Sequence, residues 1–163
     1  MIAPPAHSIV VAAHSEAWCS VIRRKFHENL VGPDAKKSPN LQPPSKLSWL
    51  LNTDELLAEA IKTNATVAIV EISTDNIEQT CHSLAPLVNN SYQLKLFAVG
   101  DHELIPWQPV LRAAGFSGCY WTLLQTNELV RVVQLHQRKT PLSFRRAEDR
   151  IAAQLPWRAA TTD

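Results

Sequence analysis

Glycine is scarce, with four residues in 163 against eleven prolines. Gly32, Gly100, Gly115 and Gly118 form neither a GxGxxG nor a GxxxxGK spacing, which excludes nucleotide binding through a glycine-rich phosphate loop. An excess of one charge is also absent. Sixteen Lys and Arg face fifteen Asp and Glu, a formal +1, so no nucleic-acid partner is expected. Cys19, Cys81 and Cys119 lie far apart without a CxxC or CxxH pair, and read as buried thiols in a reducing compartment. There is no long apolar run, and Met1 to Pro5 carries neither the basic nor the apolar part of an export signal. No membrane contact and a cytoplasmic location are the expectations. HExxH, GxSxG and a Ser-His-Asp order are missing as well.

What is present is a hydrophobic fraction of 45%, enough for one domain with a sizeable core. Ser8 to Ala13 is a continuous apolar run, as in a strand buried on both faces. Ser15 and Glu16 open a helix with Trp18, Val21, Ile22 and Phe26 inward. Residues 31–45 hold Pro33, Pro39, Pro43 and Pro44 and read as a long loop. Lys46 to Leu51 is a second strand. Asn52 to Glu55 then starts a helix whose stripe is Leu56, Leu57, Ala60 and Ile61. Ala65 to Glu71, β-branched and ending on an acid, is the clearest strand. Ser73 or Thr74 caps a helix running to about Val88 with Ile77, Cys81, Leu84 and Val88 inward, and Pro86 is expected to kink or shorten it.

Leu94 to Val99 makes a fourth strand. A short helix from Pro106 or Pro109 to Ala114 is closed by Gly115 as a left-handed cap. Cys119 to Trp121 makes a fifth strand. Thr126, Asn127 and Glu128 cap a fifth helix with Leu129, Val132, Val133 and His136 on one face. Strand and helix alternate throughout, which argues for an open parallel sheet with helices on both faces. Residues 140–163 form an extension with an amphipathic helix, where Phe144, Ala147, Ile151 and Leu155 share a face, before Trp157 and a polar tail.

This plan resembles the receiver domain of bacterial two-component response regulators. Ala114 to Thr122 is similar to the family's passage from fourth helix into fifth strand. Thr66 to Ser73 resembles its third strand, and Asn52 to Ile61 its second helix with the preceding turn. The resemblance covers residues 7–139. It implies an α/β, flavodoxin-like three-layer fold with five parallel strands in the order 2-1-3-4-5. The domain is then 1–139, with 31–45 as a Pro-rich insertion and 140–163 as the C-terminal extension.

The resemblance also implies a chemistry. Two carboxylates after the first strand and one on the third hold Mg²⁺, and the third-strand carboxylate accepts the phosphoryl group. A hydroxyl ending the fourth strand and a Lys ending the fifth hold the phosphoryl oxygens. Matched by position, this chain has Ala13 and His14 for the acidic pair, Glu71 for the acceptor, Gly100 for the hydroxyl and Thr122 for the Lys. The family's aromatic switch position falls at Cys119. The expected function is therefore a phosphorylation-incompetent, receiver-like signalling or scaffolding module without enzymatic activity, cofactor or metal. It acts on a protein partner or a second copy of itself. Trp107, Trp121, Leu129, Val133 and Trp157 are the candidate contact residues. The rival reading is a small enzyme, or a ligand- or metal-binding protein, using the polar strand edge around His14, Glu71, Asp101 and His102.

Overall fold

The computed structural model describes residues 8–31, 46–90 and 94–139. The Pro-rich insertion, apart from its first residue, and the amphipathic extension with Trp157 lie outside the described residues. Five parallel strands form one sheet in the order β2-β1-β3-β4-β5. They are β1 (Ser8–Ala12), β2 (Lys46–Leu50), β3 (Ala65–Glu71), β4 (Lys95–Val99) and β5 (Phe116–Tyr120). The helices are α1 (Glu16–Val31), α2 (Leu56–Thr63), α3 (Ile77–Asn90), α4 (Gln108–Ala113) and α5 (Thr126–Lys139). Short 3-10 turns lead into α2, α4 and α5.

The period of two along each strand divides the core. Ile9 and Val11 of β1, with Val67 and Ile69 of β3, meet Trp18, Ile22 and Phe26 of α1 and Leu129, Val130 and Val133 of α5. Val10, Ala12, Ala68 and Val70 point the other way, to Leu56 and Ala60 of α2, Ile77 and Leu84 of α3 and Leu111 of α4. Strands with apolar side chains on both faces demand covering on both, and two helices on one face with three on the other supply it. Each fully buried Leu or Ile contributes about 1.5–3 kcal/mol. Among the described residues no helix is long and apolar enough to cross a membrane.

Two irregularities shape the sheet. The register between β1 and β3 jumps from Ser8↔Ala65 to Ile9↔Val67, so Thr66 is the extra residue of a bulge. It is buried, and its hydroxyl has no hydrogen-bond partner among the described residues. Between β4 and β5 the jump leaves out Ser117, whose carbonyl accepts a hydrogen bond from Arg112.

The sequence expectations need four corrections. Ile61 is 72% exposed rather than part of the α2 stripe, because the helix opens through the 3-10 turn Thr53–Glu55 and buries Leu56 and Ala60. Pro86 sits inside α3, which runs on to Asn90. Both Pro86 and His82 are exposed, so the proline sits on the solvent side of α3. α3 begins at Ile77, after Ser73 and Thr74: the Asn76 side chain accepts the Ser73 N–H at 2.8 Å and closes a turn there. β5 begins at Phe116 and ends before Trp121. Gly115 does hold a positive φ of 105°, as a left-handed helix end requires.

Candidate functional site

Glu71 ends β3, beside Val99 of β4 and next to the chain leaving β1. Only 7% of it is exposed. Its Oε2 accepts two backbone hydrogen bonds, from His14 N–H and Ser15 N–H, each at 2.8 Å. Other polar groups of that turn are paired as well. Ala13 N–H donates to Leu50 O at 3.3 Å, and the Cys19 thiol donates to Ala13 O at 3.5 Å. Ser15 Oγ accepts the Trp18 N–H at 3.3 Å, capping α1. A buried carboxylate therefore sits at the positive end of α1, bound to amides that would otherwise need water. Hydrogen bonds to a charged group contribute about 1.5–3 kcal/mol each.

His14 Nδ1 stands 3.5 Å from the same Oε2, but the imidazole is 53% exposed, so water screens the pair. Ala13 is 3% exposed and joins the apolar cluster with Trp18. The two positions that correspond to the acidic pair thus hold a core methyl and a solvent-facing ring. Glu71 reaches across with its additional methylene and binds the backbone of that turn directly.

The remaining positions are equally committed. Gly100 follows β4 and donates its N–H to Tyr120 O at 3.1 Å. A Cβ there would lie 2.6 Å from Ile72 O and 2.7 Å from Leu104 Cδ1, so a hydroxyl side chain has no room. Thr122 caps the 3-10 turn Leu123–Gln125 in a reciprocal box with Gln125, whose Oε1 accepts the N–H groups of Thr122 at 3.2 Å and Trp121 at 2.7 Å. Cys119 is half-buried against the first core cluster. The aromatic residue of β5 is instead Tyr120, packed 6.4 Å from the Phe97 ring over Gly118.

Asp101 and His102 are exposed and open the 3-10 turn His102–Trp107. No hydrogen bond or ion pair among the described residues joins them to His14 and Glu71, and no group of three or more His, Cys, Asp or Glu there could hold a metal ion. Of the expected contact residues, Trp107 is 39% exposed. Trp121 is buried and donates its indole N–H to Gln108 Oε1 at 3.1 Å, while Leu129 and Val133 lie at 0% in the core under α5. Their helix spacing marks the inward stripe, which the sheet covers.

Gln125 and Asn76 are functional residues beyond those expected from the sequence, whereas Ser15 opens α1 as expected. Thr122-x-x-Gln125 is a legible capping box, and Ser15 stands just before the first residue of α1. Also unexpected from the sequence is a cleft of about 300 Å³ beside Glu71, walled by the β2–α2 turn and the start of α3. Nothing local signals that cleft, because its walls are distant in sequence.

No family model and no curated protein matches the chain. Solved structures do. A CheY-like protein, tadZ, from Pseudomonas aeruginosa superposes with a TM-score of 0.60 at 15% identity, over 80% of this chain and 98% of that one. A CpaE2-type pilus assembly protein from Sinorhizobium meliloti gives 0.55 at 14%, over 79% and 98%. A response regulator protein from Burkholderia multivorans gives 0.54 at 12%, over 83% and 98%. With the strand order and the two helical layers, these neighbours establish the fold, a CheY-like, flavodoxin-type α/β architecture.

Proposed function

We propose that this protein is a receiver-like module without phosphotransfer chemistry, which works by contact with another protein or with a second copy of itself. The observation that carries the reading is the pair of 2.8 Å hydrogen bonds by which Glu71 Oε2 holds His14 N–H and Ser15 N–H. A carboxylate engaged by two amides, with no acidic neighbour at Ala13 or His14 to complete an oxygen cage, is poorly placed to hold Mg²⁺ or to attack phosphorus. On the other side of the site, Gly100 has no space for a hydroxyl, and Thr122 supplies a cap where a cation would be needed.

The contact face follows from what is exposed. The Gln108–Trp121 hydrogen bond sets the start of α4 beside the end of β5. Trp107 and Val110 at the start of α4, and Leu123 and Leu124 in the turn after β5, are exposed apolar residues, Leu124 at 90%. Exposed apolar side chains on these segments suit a protein partner. That one structural neighbour carries a pilus assembly name agrees with a scaffolding role.

The test is incubation with acetyl phosphate and Mg²⁺, followed by intact mass. An unchanged mass is expected, and a Mg²⁺-dependent phosphoryl adduct on Glu71 would sink the reading. Leu124→Asp then tests the face. It should weaken self-association, or binding to an identified partner, without altering the unfolding midpoint. Unchanged association would remove this face from the proposal.

A further inference from the structure

The sheet order reverses between β1 and β3, and in doubly wound folds that crevice is where ligands sit. Here it opens into the cleft of about 300 Å³, at the lower end of the range of small-molecule sites. Ala12 and Glu71 lie on its strand side, Asn52 and Asp54 on the turn before α2, and Asn76 and Gln79 on the α3 side. Among the described residues neither Lys nor Arg lines it. Among the described lining residues an anion therefore meets two carboxylates, with the half-exposed imidazole of His14 the single basic group beside them.

The hydrogen-bonding groups that remain open there are specific. Glu71 uses Oε2 for His14 and Ser15, which leaves Oε1 without a hydrogen bond among the described residues. Asp54 accepts the Ser83 hydroxyl at 3.4 Å through Oδ1, which leaves Oδ2. Asn76 gives its oxygen to the Ser73 N–H, which leaves its amide NH₂. At the rim stands the aliphatic side chain of Leu51, 82% exposed.

We infer that this cleft binds a small organic cation: a flat, multi-donor head such as a guanidinium or amidinium on a short apolar stem. The head directs N–H groups at Glu71 Oε1 and Asp54 Oδ2, and the stem lies along Leu51. A planar guanidinium matches two separated carboxylate oxygens better than a single ammonium does, because its donors diverge in one plane. This inference is independent of the contact face proposed above, and its failure would leave that proposal standing.

The experiment is a ¹H–¹⁵N NMR titration of the full chain with butylguanidinium, using butyrate, butanol and inorganic phosphate as matched probes. Saturable shifts at Asn52, Asp54, Asn76 and Gln79 are expected with butylguanidinium alone. Asp54 is exposed and contributes little to the core, so Asp54→Asn should stay folded and bind about fivefold more weakly. Leu51→Ser should weaken butylguanidinium while leaving guanidinium itself unaffected. Absence of saturation with butylguanidinium, equal response to butyrate, or an unchanged affinity in Asp54→Asn would each overturn the assignment.

Discussion

Glu71 at the end of β3 and Ser15 at the head of α1 are joined by a 2.8 Å hydrogen bond from the Ser15 amide to the Glu71 carboxylate. The contact crosses the point where the sheet reverses direction, and its acceptor is shared with the His14 amide. An anion buried at that helix end ties the β1–α1 turn to β3, the central strand. Stability and lost chemistry thus converge on one side chain.

Removing the carboxylate should be costly. Glu71→Ala leaves two amides without their acceptor and is expected to lower unfolding stability by about 3 kcal/mol, read by urea denaturation. Glu71→Gln retains an acceptor oxygen and should lose less than half as much. Equal losses for the two variants would show that the negative charge, and not a neutral acceptor or side-chain volume, holds the turn there.

Restoring a hydroxyl after β4 should damage the fold rather than repair a site. Gly100→Ser places a Cβ within 2.6 Å of Ile72 O. A loss of about 2–3 kcal/mol is expected from the resulting displacement. A neutral or stabilising effect in thermal unfolding would contradict the close approach.

The Thr66 bulge offers the opposite sign. Its buried hydroxyl has no partner among the described residues, so Thr66→Val replaces an unsatisfied group with a methyl of similar size. Stability should rise by about 1 kcal/mol. A loss of similar size would mean that the hydroxyl is hydrogen-bonded in solution.

Thiol chemistry should be sluggish. Burial pushes Cys19, Cys81 and Cys119 above the ordinary thiol value, and the Glu71 carboxylate adds to the effect at Cys19. The thiolate fraction at neutral pH is thereby reduced, so alkylation by iodoacetamide should be slower than for a free-thiol peptide, by mass spectrometry. The linkage has a definite sign. Groups held protonated by folding stabilise below the unfolded value of about 8.5, and that stability is lost as pH rises through the folded values. Tyr120, also raised, chiefly by burial, extends the same loss to higher pH. A protein more stable at pH 10 than at pH 7 would contradict this.

Much of the fold was readable because its signals are local and periodic. The apolar runs of β1 and β3 and the spacing of Trp18, Ile22 and Phe26 translate directly into layers. The site was readable only as positions. Ala13, His14, Glu71, Gly100 and Thr122 were identified by resemblance, but the direction of the Glu71 carboxylate depends on backbone amides, which no side-chain pattern encodes. The contact residues illustrate the same limit from another side. Leu129 and Val133 are implied as contacts by the resemblance but belong to a helical stripe that faces the sheet, whereas the exposed Leu124 lies in a 3-10 turn with no periodic signal.

The most direct measurement follows the amide resonances of His14 and Ser15 during titration with beryllofluoride and Mg²⁺. If Glu71 is already bound to the β1–α1 turn, both protons resonate downfield, exchange slowly with solvent and stay in place throughout the titration. Saturable, Mg²⁺-dependent movement of these two amides would mean that Glu71 leaves the turn to accept a phosphoryl analogue, and the central claim would be wrong.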